Sequence, residues 1–259
     1  MEAILAYIVP APLSDVAALS LIALSFVTSL MTAALGLGGG ILMVAAMASV
    51  VPPAALIPVH GMVQLGSNSG RVLLFRRHIR RPIVLWFLLG AVVGVTIGAQ
   101  VAVRLPREAL LIVVGAFVLV TTWMPSFGRY RVPDRGFSII GAATAFITMF
   151  AGATGPFLAP FLSPERLGDR HATIGTFAAC MTLKHGLKVT AFAAVGFAYL
   201  PWLPLVVLMI ASGFLGTVVG RQIVSRMPEA RFRTAFKILL TALAIRLLYQ
   251  GVAGWTGPV

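Results

Sequence analysis

The chain has 259 residues, 59% of them hydrophobic and only 10% charged, with a mean hydropathy of +0.99, whereas a soluble domain carries about 25% charged residues. A water-soluble core would not hide that much apolar surface, so the bilayer is read as the solvent for most of the chain. The net charge of +13 does not call for nucleic acid, because the Lys and Arg residues cluster between apolar spans, where they act first as topology signals.

The N-terminus, MEAILAYIVPAPLSD, lacks the positive region and the small-residue cleavage motif of a secretory signal and carries Glu2 and Asp15 instead, so no processing is expected. An apolar stretch at 14–50 follows, interrupted by GLGGG at 36–40. Spanning helices are then predicted at 55–75, 83–103 and 109–124, with the basic loop RRHIRR at 76–81 between the first two. A linker at 127–136 holds Arg129, Arg131 and Arg135. Beyond it the pattern starts again: an apolar stretch at 136–162 interrupted by GATGP at 152–156, then predicted helices at 172–197, 203–224 and 232–249. The single cysteine, Cys180, excludes an intrachain disulfide or a multi-cysteine metal site and reads as a small apolar helix residue.

The two halves align. An offset of 116 residues pairs Gly36, Gly39 and Gly70 with Gly152, Gly155 and Gly186. Six further residues in the second half change the offset to 122, which pairs Gly94, Gly98, Gln100, Arg104 and Pro106 with Gly216, Gly220, Gln222, Arg226 and Pro228. Identities of Gln, Arg and Pro at fixed spacing do not follow from shared hydrophobicity, so an internal duplication is expected. Charge sets the relative orientation of the copies. RRHIRR reads as cytoplasmic, whereas its counterpart FAYLPW at 197–202 is uncharged and carries the Tyr and Trp of a membrane interface. The linker and the basic turn around Pro228 also read as cytoplasmic, while Arg104 and Arg107 near Pro106 run against the pattern.

The expected fold is therefore an all-α polytopic membrane protein of two inverted-topology repeats, with about eight hydrophobic segments. Each repeat is a glycine-broken, re-entrant helical hairpin followed by three transmembrane helices. The organisation is 1–126 for the N-terminal repeat, 127–136 for the cytoplasmic linker and 137–259 for the C-terminal repeat, in one integral membrane domain. The alternative is four plain crossings per half with parallel copies.

Broken helices at membrane depth are tolerated where protein or water satisfies the freed backbone, and in inverted-repeat transporters such half-helix ends hold anions at the midplane. Both glycine breaks precede a short apolar helix, and Pro156 suits a first helical turn. Glycines at four-residue spacing, Gly90, Gly94 and Gly98 with Gly216 and Gly220, read instead as close helix packing. The helices after the breaks are polar. In the first, His60, Gln64, Ser67 and Arg71 share one face beside Asn68; the second carries Thr176, Thr182, Lys184, His185 and Lys188. The alignment places Asn68 opposite Lys184 and Ser69 opposite His185.

Lys184 stands about 18 Å into its predicted helix, near mid-membrane, where a cation costs at least about 2.5 kcal/mol and marks a candidate functional site. Lys188 is a weaker candidate, and Arg71 is close enough to a helix end to snorkel. All seven carboxylates fall at termini, loops or helix ends, so the membrane interior offers nothing to a cationic substrate. The substrate should be an anion. His60 and His185 are the titratable candidates for any proton coupling.

GLGGGILMV, the polar helix with its basic loop, and GATGPFLAP opening the second copy resemble the sulfite exporter TauE/SafE family over roughly residues 19–250. The resemblance implies a bacterial inner-membrane, multi-pass transporter of sulfite, sulfonates or related small organic and sulfur anions, mostly an exporter. Its glycine motifs fall on Gly36, Gly38, Gly39 and Gly40, and on Gly152, Gly155 and Pro156. Thr154 stands where the family commonly has glycine and His60-Gly61 where a Thr-Ser pair is usual, departures that bear on the particular substrate.

The expected site comprises Gly38, Gly39, Gly40, His60, Gln64, Asn68, Thr154, Gly155, Lys184 and His185, working by alternating access around the midplane. Lys184 would neutralise substrate charge, His185, Asn68 and Gln64 would donate hydrogen bonds, and amides after Gly39 and Gly155 would hold the oxyanion. No cofactor, metal or nucleic acid is called for; the partners are the anion and the lipid bilayer, and a homodimer is compatible. The alternatives are an uptake permease for a small anion, an intramembrane enzyme, for which no nucleophile and base stand in a recognised spacing, and a non-transporting scaffold.

Overall fold

A computed structural model describes residues 8–11, 13–35, 38–102, 104–124, 132–162, 164–223 and 229–256. Gly36, most of the basic linker with Arg129 and Arg131, Arg226 with Pro228, and the first seven residues lie outside them. The described residues are helical, with no strand among them. The helices are α1 (Asp15–Leu35), α2 (Gly39–Met47), α3 (Pro53–Phe75), α4 (Arg81–Ala102), α5 (Arg107–Trp123), α6 (Phe137–Ala151), α7 (Gly155–Leu158), α8 (Pro164–Leu167), α9 (Arg170–Ala194), α10 (Leu203–Ile223) and α11 (Glu229–Thr256). Four of them, α1, α4, α10 and α11, are long and apolar enough to cross a membrane. α3 and α9 have the length, at 23 and 25 residues, but polar side chains dilute their hydropathy. The predicted helices are found within a few residues, the largest difference being α11, which starts three residues earlier and runs seven further than 232–249.

The chain groups into two compact units, and each draws on both halves of the sequence. The first comprises Met1–His60, Leu105–Met124 and Ala198–Val259; the second comprises Gly61–Arg104 and Pro125–Phe197.

In the first unit α1 packs along α10 and α5 along α11. Ser212 Oγ donates to the carbonyl of Ile22 at 2.8 Å, Ser25 Oγ donates to that of Met209 at 2.6 Å, and a Cβ added to Gly216 would stand 2.1 Å from the carbonyl oxygen of Phe26. α5 and α11 run antiparallel: Trp123 Nε1 donates to Thr241 Oγ1 at 2.9 Å, Gly115 meets Ala244 and Gly251 meets Glu108.

In the second unit α4 packs along α6. A Cβ on Gly90 would stand 1.7 Å from the Ser138 carbonyl oxygen, one on Gly141 2.3 Å from that of Phe87 and one on Gly94 2.1 Å from that of Ala142. These are the first unit's three contacts with the halves exchanged. The offset of 122 carries Phe87, Gly90 and Gly94 onto Met209, Ser212 and Gly216, and the offset of 116 carries Ile22, Ser25 and Phe26 onto Ser138, Gly141 and Ala142. At two of the three contacts one half presses a bare glycine against a carbonyl where the other lets a serine hydroxyl bond to it, and at the third both use glycine; either way the backbones approach closely without a hydrophobic driving force. The packing reading of Gly90, Gly94 and Gly216 agrees with these contacts.

α3 and α9, the equivalent polar helices, run antiparallel in the second unit. Their contacts pair Phe75 with Gly175, Leu65 with Gly186 and Gly61 with Lys188. The loop after α3 docks on the start of α9, with the Arg80 backbone N–H donating to Thr176 Oγ1 at 3.0 Å and its guanidinium to the Leu167 carbonyl at 2.9 Å. At this same end Arg166 bonds Asp134 at 3.1 Å. The chain thus enters α6 and leaves the broken segment at one end of the unit. Asp169 caps α9, accepting from the backbone N–H groups of His171 and Ala172 at 3.1 and 3.3 Å; the His171 N–H foremost holds its carboxyl below the usual carboxylate range.

Candidate functional site

In the second unit the break after α6 is made by Gly152, whose φ of +79° is a left-handed conformation that L side chains rarely adopt. Two threonine side chains then tie the interrupted backbone together, one of them through the backbone carbonyl of Thr144, whose own hydroxyl bonds back to Ile140. Thr148 Oγ1 donates to the Gly152 carbonyl at 2.9 Å, and Thr154 Oγ1 donates to the Thr144 carbonyl at 3.1 Å. All three threonines are buried. α7 is a single turn that continues into a 3-10 turn at Ala159–Phe161, so the segment after the break is a short, irregular helix.

Onto this break α9 directs two lysines, each with no exposed surface. The Lys184 ammonium donates to Thr154 Oγ1, and the Lys188 ammonium donates to the Gly152 carbonyl at 3.3 Å. They lie one turn apart on one face of α9, as residues four apart must. Neither pairs with a carboxylate among the described residues. The room for Lys188 comes from α3, where a Cβ on Gly61 would stand 2.7 Å from its Cε. Gly61 and Thr154, two of the three residues that depart from the expected motif, therefore each touch one of the buried lysines.

α3 contributes a second polar group. Asn68 is buried and its amide donates to the Gln64 carbonyl at 2.8 Å. Arg71 folds back along its own helix, donating to Asn68 Oδ1 at 3.2 Å and to Ser67 Oγ at 3.1 Å. His185, next to Lys184, is buried as well. Gly155 is less constrained than its motif suggests: an added Cβ would meet only the tips of Phe177 and Met181, at 3.3 and 3.4 Å.

The other predicted residues, Gly38, Gly39, Gly40 and His60, belong to the first unit. Gly38 takes φ +103° and caps α2, accepting from the N–H groups of Ile41 and Leu42 at 3.0 and 3.1 Å. Gly39 lies hard against α1, where a Cβ would stand 2.1 Å from both the Thr28 carbonyl oxygen and Thr32 Oγ1. His60 is buried and its Nε2 lies 3.2 Å from the Gly40 carbonyl, an acceptor, so that nitrogen carries the proton.

From the sequence, Gly152 is named as the start of the break and Lys188 as a weaker candidate outside the site, whereas Thr148 and the Thr144 carbonyl are not singled out. Lys188 was detectable from its spacing to Lys184. The threonines were not, because a threonine in an apolar helix ordinarily bonds back to its own preceding turn.

A model of the sulfite exporter TauE/SafE family matches residues 21–247. Comparison with curated proteins and with solved structures gave no significant match. The match spans most of the chain, which therefore belongs to this family of membrane transporters and is a multi-pass membrane protein.

Proposed function

We propose that this member of the sulfite exporter TauE/SafE family moves a small anion, such as sulfite, a sulfonate or a related oxyanion, outward across a bacterial inner membrane. The observation that carries the reading is the pair of buried lysines at the Gly152 break without a carboxylate partner among the described residues. A buried ammonium lacking a counter-charge is strongly disfavoured, and an anion entering the break supplies one. Lys184 is the charge partner in this reading, presented by Thr154, with His185, Asn68 and Gln64 lining the approach on α9 and α3. Gly155 and Thr154 form the turn that receives the oxyanion, and Gly38 to Gly40 serve as the corresponding break of the other copy.

The two halves, 1–126 and 137–259, act as inverted repeats in this proposal and rock for alternating access. Three observations support the inversion: the equivalent helices α3 and α9 run antiparallel, so do α5 and α11, and the broken segment of the second half starts and ends on one side of its unit.

The test is anion flux in proteoliposomes. Lys184→Met keeps the volume and removes the charge, so the protein should fold with an unchanged thermal midpoint while sulfite efflux falls to the level of empty vesicles. Efflux at the wild-type rate in a folded Lys184→Met protein would remove the site assignment.

A further inference from the structure

Two exposed histidines meet a carboxylate at the end of the second unit where the loop after α3 docks on α9. Ring nitrogens of His78 and His171 and a carboxylate oxygen of Asp169 all lie within 4.8 Å of one another. His78 comes from the short 3-10 turn Arg76–His78 and the other two from the cap and first turn of α9, more than ninety residues further along the chain. We propose that His78, His171 and Asp169 bind a divalent transition metal ion of the zinc, nickel or copper type, which clamps the loop after α3 to the start of α9.

The geometry is close to what such an ion needs. His171 Nδ1 and Asp169 Oδ1 are 3.3 Å apart, the separation of about 3.3–3.5 Å expected for two ligands each about 2.1 Å from a tetrahedral ion. The His78 and His171 ring centroids are 5.3 Å apart, and Phe75 stacks on His171 at 5.7 Å, which limits the turning of that ring. Asp169 is held as the cap of α9 and Phe75 limits His171, so the side chain that turns to close the remaining gap is the exposed His78. The second anchor is already in place, since Arg80 ties the same loop to Leu167 and Thr176.

Ligand chemistry selects the ion. Two imidazoles and one carboxylate suit zinc, nickel and copper, whereas calcium and magnesium want oxygen ligands only. Three protein ligands leave a position open to water, unlike a closed structural site. Arg76, Arg77 and Arg170 adjoin the ligands in sequence, and their charge keeps the affinity for a dication modest. The side chains of Asp169 and His171 are 43% and 59% exposed, so the ion can enter from solution, whereas His60 and His185 are buried.

The experiment uses the full chain, purified in detergent through a tag without histidine, with cobalt and zinc as probes. Cobalt should give one ligand-field absorption signal per chain that zinc bleaches, and zinc should raise the thermal midpoint by mass action. His78→Ala, His171→Ala and Asp169→Asn should each weaken zinc binding by at least about tenfold, since loss of even an outer-shell partner costs 10–100-fold. Asparagine caps a helix as well as aspartate does, so Asp169→Asn removes the carboxylate while sparing the fold. The metal-free midpoints should be unchanged. No cobalt signal in the wild type, or zinc affinity unaltered in the two histidine variants, would overturn the proposal.

Discussion

The two glycine breaks share a backbone device and differ in what surrounds it. At Gly38 and at Gly152 a positive φ turns the chain between two helices. The first break is then locked by contact, with Gly39 jammed against Thr28 and Thr32 and the Gly40 carbonyl held by His60. The second is locked by hydrogen bonds from Thr148, Thr154 and Lys188, and it alone has buried cations bonded to it among the described residues. The two breaks are thus similar frames, and the difference between the following helices, Asn68 in one and Lys184 in the other, puts the buried charge at one of them.

Removing the slack at each break should separate the two frames most sharply. Gly39→Ala forces a methyl group into a backbone carbonyl and should destabilise the protein by about 1–3 kcal/mol or more. Gly155→Ala meets only flexible side-chain tips and should shift stability by less than about 1 kcal/mol. Thermal midpoints and monodisperse yield in detergent compare the two directly. Equal losses would mean that the second break is as tightly packed as the first.

A smaller effect is expected where hydrogen bonding does the locking. Thr154→Val leaves the Thr144 carbonyl and the Lys184 ammonium without their partner, at about 1–3 kcal/mol, and should slow anion efflux. Thr154→Ser should restore both stability and efflux. Failure of serine to rescue would assign the effect to the shape of the threonine and not to its hydroxyl.

The smallest expected change tests the exchanged helix contact. Ser212→Ala removes one hydrogen bond to Ile22, at about 1 kcal/mol, whereas Gly90→Ala at the equivalent position drives a Cβ into the Ser138 carbonyl and should cost more. The two thermal midpoints rank these losses, and a reversed order would break the equivalence of the contacts.

Much of the helical layout was legible in the residues. Long apolar runs, Gly and Pro punctuation and basic loops located α3, α4, α5, α9 and α10 to within a few residues, because length and polarity alone decide where a helix can sit in a bilayer. Lys184 was legible for the same reason: charge at that depth has no ordinary explanation. In one dimension Lys188, one turn beyond Lys184, is the weaker candidate, and only the packing of Gly61 over its side chain shows it held inside.

The amino-acid sequence by itself determined the solvent and the place of the polar helices, and it is the source of the proposed duplication and of the proposed anion, since composition, spacing and the placement of the acids are properties of the chain in one dimension. Tertiary structure decided which elements share a compact unit, that Thr154 and not a glycine receives Lys184, and that His78 lies beside Asp169 and His171. These depend on side chains far apart in the chain arriving at one place, and with bare hydrophobicity on every helix the choice of neighbour rests on close contacts that no single segment encodes.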